Sequence, residues 1–243
     1  MTVTFETDSG ATRNSLRRVV SIALVCCGAT LANAAESPVR EISPGVLQIG
    51  AVRIEKSERR LSFDADVNMA EGEIEYVLVT KSGKTHESVF ATTAEPQHIH
   101  LAALLLGIRD ATKFPPTATN TPAALRGDPV RIAVTWTRDG HERTVPVEEF
   151  VRHAETRRPL AHGPWIYNGS TLWEGRFIAQ TEGSIIAVMD DRDALVNNPR
   201  PGREDDKIWR VNEKIAPPKG TRVRIAISAE AGKQSTVGIE KAK

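Results

Sequence analysis

Between Val46 and Val67 apolar and polar residues alternate, as in Val46-Leu47-Gln48-Ile49, Val52-Arg53-Ile54-Glu55 and Leu61-Ser62-Phe63-Asp64-Ala65-Asp66-Val67. A period of two puts all the apolar side chains of a strand on one face, so these segments predict short half-buried strands. The runs 73–80 and 85–90 continue the pattern on either side of Lys81-Ser82-Gly83-Lys84, where Gly83 predicts a tight hairpin with the second strand paired to the first. The run Val130 to Trp136 turns at Asp139-Gly140 into His141 to Val145, a second hairpin. Further strands are expected over 176–180, 184–189 and 222–227.

Two helices interrupt the strands. Pro96 suits a first helical turn, and the Ala- and Leu-rich segment through Leu106 stops at Gly107. A second short helix is expected from Pro146 through Phe150 to Ala154. The fold class read from these elements is α+β, mainly β, with antiparallel hairpins forming a sheet and two short helices packed on it. A Pro/Thr-rich loop at about 110–128 has no periodicity. The stretches 73–107 and 130–154 share a strand-turn-strand-helix order without matching residues.

The amino-terminal segment reads differently. Arg17-Arg18 precedes an apolar run from Val19 to Val25, then small residues ending in Ala32-Asn33-Ala34-Ala35. That order marks a secretory signal cut near Ala34 or Ala35, and the run is shorter than the roughly 20 apolar residues a membrane-spanning helix needs. Residues 1–35 are therefore read as a signal peptide and 36–243 as a single mature domain with its core at about 45–229, exported to the periplasm or beyond, with no transmembrane segment. Leu24-Val25-Cys26-Cys27 also resembles a lipoprotein cleavage box, which gives the alternative of acylation at Cys27. Sec and twin-arginine routes both remain open.

Cleavage removes both cysteines, which rules out a disulfide, Cys-ligated zinc or an iron-sulfur cluster in the mature chain. The whole chain carries 32 Lys and Arg against 31 Asp and Glu, with both signs interspersed as in Glu55-Lys56-Ser57-Glu58-Arg59-Arg60. A nucleic-acid binder concentrates its cations in a stripe or patch, so no nucleic-acid partner is expected. An envelope protein, a peptide or a glycan is the expected partner class.

Three strings in order, Gly83-Lys84-Thr85-His86-Glu87-Ser88, then Pro96 with His100-Leu101-Ala102-Ala103-Leu104-Leu105-Leu106-Gly107, then Trp165-Ile166-Tyr167-Asn168-Gly169-Ser170, resemble the YdjY-type domain of exported bacterial proteins. The resemblance spans most of the mature chain. It implies export and a shared fold, and it implies no activity, because that family is functionally uncharacterised. Some relatives carry ferredoxin-like cysteine motifs, which this chain lacks after cleavage.

Candidate chemistry is sparse. No Gly-x-Ser-x-Gly elbow, phosphate loop or dinucleotide fingerprint is present, and the expected function is a non-enzymatic binding or envelope-associated module with no cofactor. The alternative is a divalent-metal protein or metal-dependent enzyme in which His86 and His100 converge with Glu87 or Glu75. Side chains of His86 and Glu87, adjacent in a strand, should point to opposite faces. Acidic residues at 190–193 and 204–206 are candidate calcium ligands or loop caps. Trp165, Tyr167, Trp173 and Trp209 form a binding surface if exposed and a β-layer core if buried.

Overall fold

A computed structural model describes residues 38–113 and 125–230 of the chain, which belong to one compact unit. The leader, the run Phe114 to Pro122 and the polar carboxyl-terminal residues lie outside the described residues. A meander opens the fold: β1 (Val39–Ser43), β2 (Val46–Ile49), β3 (Val52–Glu55) and β4 (Arg60–Val67). Then follow β5 (Tyr76–Thr80), β6 (Ser88–Thr92) and α1 (Pro96–Leu105). The hairpin of β7 (Asp128–Arg138) and β8 (His141–Pro146) leads to β9 (Val151–His153) and β10 (Trp165–Tyr167). A small hairpin, β11 (Leu172–Trp173) and β12 (Arg176–Phe177), runs into α2 (Ile178–Glu182). The chain closes with β13 (Ser184–Ala187), β14 (Val196–Asn197), β15 (Trp209–Val211) and β16 (Arg222–Ala229).

The expected mainly β fold with two helices is present, but the sheet is more than hairpins. Strands β4, β16, β7, β10, β14, β13, β5 and β6 pair in that order, and β6 returns to β4, closing an eight-stranded barrel. Closure is possible because two long strands split their outer edges between two neighbours. One edge of β4 pairs with β3 over Arg60–Ser62 and with β6 over Asp66–Val67. One edge of β7 pairs with β10 over Asp128–Val130 and with β8 over Ala133–Arg138. A seven-stranded antiparallel sheet, β1-β2-β3-β4-β16-β7-β8, therefore extends past the barrel on both sides.

Alternation decides what each face does. Leu61, Phe63, Ala65 and Val67 of β4, Val223, Ile225 and Ile227 of β16, and Val130, Ile132, Val134 and Trp136 of β7 all point inward and are buried in one core. Leu47, Ile49, Val52 and Ile54 join the same side, where α1 contributes Ile99, Ala102 and Ala103. Phe90, Phe150 and Trp136 meet edge to face, with ring centroids 5.0 and 5.6 Å apart.

Three local expectations are corrected. Strands β5 and β6 are parallel, with Tyr76 opposite Ser88 and Leu78 opposite Phe90, because a period-two pattern carries no strand direction. Gly83 closes a turn by donating its N–H to Thr80 O at 3.0 Å, but the turn leads into no hairpin, and a side chain there would stand 3.0 Å from the carbonyl oxygen of Glu182 and 3.3 Å from Gly183 Cα. The helix expected after Pro146 is a single 3-10 turn, Val147–Phe150, which passes directly into β9. The second helix is instead α2, which leaves only Arg176–Phe177 of the strand expected over 176–180, and the 73–107 and 130–154 stretches differ in strand direction. Asp139-Gly140 does turn the β7–β8 hairpin. No helix among the described residues is long and apolar enough to cross a membrane.

Candidate functional site

The outer face of the extended sheet is concave and polar. Twist curls the sheet, and the residues that alternate with the core positions line the hollow. Register sets them in rows across the strands. Arg53, Ser62, Ala226, Ala133 and Pro146 stand side by side on β3, β4, β16, β7 and β8. On one flank lies the row Glu55, Arg60, Ser228, Arg131, and on the other Asp64, Arg224, Thr135, Thr144. Small side chains thus floor a trough whose flanks carry guanidinium groups. The 3-10 turn supplies Glu148, and the loop before β10 supplies His162. The groove encloses about 590 Å³, and a second hollow of about 610 Å³ shares Arg53, Glu55, Ser62 and Arg224 with it. These volumes fall in the range of ligand sites.

Commitment of the charged groups differs along the trough. Glu55 accepts from Arg53 at 3.2 Å and from Arg60 at 2.7 Å. Burial pushes the Glu55 carboxyl upward, but the bonds from Arg60 and Arg53 outweigh it and hold it below its ordinary value. Arg60 also reaches Glu58 at 2.8 Å, and Arg131 binds Glu230. Glu148 is 3% exposed and faces Arg200 at 2.9 Å from behind the groove wall. His162 Nε2 lies 2.6 Å from Glu149. Arg224 is the least engaged: its Nε stands 3.8 Å from Asp64, with its side chain 63% exposed.

The sequence-predicted residues lie elsewhere. His86 and Glu87 sit in a 3-10 turn, Thr85–Glu87, rather than in a strand. Their side chains therefore turn toward each other, His86 Nε2 to Glu87 at 3.4 Å, with the imidazole exposed. Glu75 lies near Glu87 and Asp206, and burial followed by those like charges raises its carboxyl. His100, on α1, pairs through Nδ1 with Tyr167 OH at 2.8 Å and faces Asp110 at 3.8 Å. Burial lowers the His100 pKa, and Asp110 only partly offsets it. His86 and His100 thus engage different partners, and among the described residues no three His, Cys, Asp or Glu side chains gather as a metal site. Asp191 accepts from Tyr76 OH, which in turn accepts from Lys84, and Asp190 faces Arg203 at 3.8 Å.

The aromatic surface does not form. Trp165, Tyr167 and Trp209 are buried in the core, because β10 lies inside the barrel wall and Trp209 Nε1 donates to Gly202 O. Only Trp173 is open, 68% exposed beside Leu172 on the β11–β12 hairpin. Two of the three strings of the sequence resemblance, those carrying His100 and Tyr167, nonetheless meet in space. His100 bonds Tyr167, and a side chain on Gly169 would stand 2.4 Å from Asp110 Cβ. Asn168 ties its strand to Ala194 O and to Asn197, while Asn68 holds Thr85 O and Ser88 O. They brace the barrel. Sequence reasoning missed the trough, whose only linear signal is Ser and Ala at the outward positions of otherwise charged strands.

An eight-stranded barrel with a polar trough on its overhanging sheet defines a β-barrel protein with a surface groove. The family model of the YdjY domain matches residues 52–228, and the chain belongs to that family. No curated protein and no solved structure matches the chain.

Proposed function

We propose that this protein is exported and acts in the cell envelope as a non-enzymatic binding module, with the trough as its ligand site. The observation that carries the reading is the small-residue row Ser62, Ala226, Ala133, held between rows bearing Arg60 and Arg131 on one side and Arg224 on the other. Outward positions of a solvated strand ordinarily carry long polar side chains. Here the central strands leave a channel. Hydroxyls of Ser62, Ser228, Thr135 and Thr144 offer donors and acceptors along it, and Thr135 already bonds Thr144 at 2.8 Å. The Arg17-Arg18 leader supports export.

The test has two parts. Mass measurement of the native protein should find a mature amino terminus after Ala34 or Ala35 in the exported fraction, and an intact Met1 in the cytosol refutes export. Screening short peptides and envelope glycans against the isotopically labelled mature chain should move amide resonances of β4, β16 and β7. Shifts centred on Leu172 and Trp173 instead would reassign the site to the small hairpin.

A further inference from the structure

The β11–β12 hairpin turns its two faces to different neighbours. Its strands join through Glu174 and Gly175, whose φ angles of +48° and +75° give the tight two-residue turn that suits the twist of such a ribbon. Leu172 stands opposite Phe177, whose ring lies 5.1 Å from His100, so that face leans on α1. Thr171 and Trp173 alternate to the other face. There the Thr171 hydroxyl donates to Asp193, and Trp173 and Asp193 line one cleft. All other Trp and Tyr side chains are buried, whereas Trp173 is left open. Burying an indole is among the larger gains a fold can make, and here the fold forgoes it.

The cleft encloses about 400 Å³, within the range of small-ligand sites, and shares no residue with either hollow of the trough. Trp173 and Ile178 supply its apolar wall. Its polar side is a continuous relay: Lys84 Nζ donates to Tyr76 OH at 2.8 Å, Tyr76 OH donates to Asp191 at 2.9 Å, and Asp191 accepts from Asp193 N at 2.9 Å. These bonds hold the polar groups in place without exhausting them. Lys84 spends one of its three ammonium donors on Tyr76. The second carboxylate oxygen of Asp193 and both of Glu182 take no hydrogen bond from a described residue.

Chemistry selects the occupant. A cationic ligand faces Lys84 inside the cleft and an anionic one faces Asp193 and Glu182, so either charge meets repulsion. A wholly apolar ligand strips water from the ammonium and the carboxylates and replaces none of its bonds. A pyranose ring escapes all three costs. Its C–H face suits the indole, and the hydroxyls on its edge both donate and accept.

We infer that the cleft beside Trp173 is a second ligand site, independent of the trough, and that it takes a neutral sugar ring. The ring stacks on Trp173, hydroxyls donate to Asp193 and Glu182, and another accepts from Lys84 Nζ.

Titration of the isotopically labelled mature protein with cellotriose, maltotriose, xylotriose and tri-N-acetylchitotriose tests it, followed at the indole N–H resonance of Trp173, which Trp173→Phe identifies by its loss. At least one sugar should shift that resonance saturably. Trp173→Ala should weaken this sugar at least about tenfold while leaving the thermal midpoint near that of the parent, and Glu182→Gln, on the far side of the cleft chemistry, should weaken it several-fold and serves if the first variant misfolds. No shift with any of the four sugars, tighter binding of tetramethylammonium or acetate than of every sugar, or an affinity indifferent to both variants each overturns the assignment. Sugar shifts confined to β4, β16 and β7 also overturn it, and they leave the trough reading standing. Sugar shifts at Trp173 beside peptide shifts over β4, β16 and β7 are the expected pair.

Discussion

Polar groups inside the barrel wall close on one another, whereas the trough leaves one of its cations, Arg224, without a hydrogen bond. Inside, Asn197 donates to Asn168 and to Asp191 O while accepting from Asp191 N, and Asn198 donates to Val188 O. Arg200 is spent on Glu148, Ala161 O, Gly163 O and Asn198, with its guanidinium over the Trp165 ring. Every one of these bonds closes on the chain itself, as burial requires. In the trough Arg224 ends in solvent beside a loosely placed Asp64. A charge that folding does not use is available to a ligand, and the contrast separates bracing from recognition.

Three measurements would break or sharpen that contrast. Arg200→Ala leaves Glu148 buried without its cation, and should cost about 3 kcal/mol or more in urea unfolding. Adding Glu148→Gln should recover part of the loss; a cost below about 1 kcal/mol would show that the interior network is not what holds this wall.

An intermediate effect is expected from pH. The folded chain favours neutral His100, so below 6.5 the unfolded chain binds more protons at this group. The stability it contributes is complete above pH 6.5 and is lost as pH falls through the depressed folded value. Unfolding curves collected from neutral into mildly acidic buffer should show this decline, and His100→Gln should flatten it. An unchanged slope in the variant would place the acid sensitivity elsewhere.

The smallest effect belongs to the trough. Arg224→Gln removes an exposed cation with one loose partner and should change stability by no more than about 0.5 kcal/mol. A larger loss would mean that Arg224 braces the sheet, and the contrast between the two regions would disappear.

Legibility followed the range of the interactions involved. The meander through β4, the β7–β8 hairpin with its Asp-Gly turn, β16 and α1 could all be read locally, since alternation, turn chemistry and Pro96 act within a few residues. The parallel pairing of β5 with β6 could not, because direction depends on the 81–87 connection folding back over Gly183. Trp165 and Trp173 look alike in the sequence, yet one lies on a barrel strand and the other on a protruding hairpin. Alternation could not place His86, because a 3-10 turn, not a strand, carries it.

By itself the sequence determined that Ser62, Ala133 and Ala226 would face away from the core, because their apolar neighbours alternate with them at period two. Only the tertiary structure decided that these three would stand in one row, since the register of β4, β16 and β7 is fixed by barrel closure and by pairing between distant segments. A channel is a property of several strands at once, and no single strand encodes it.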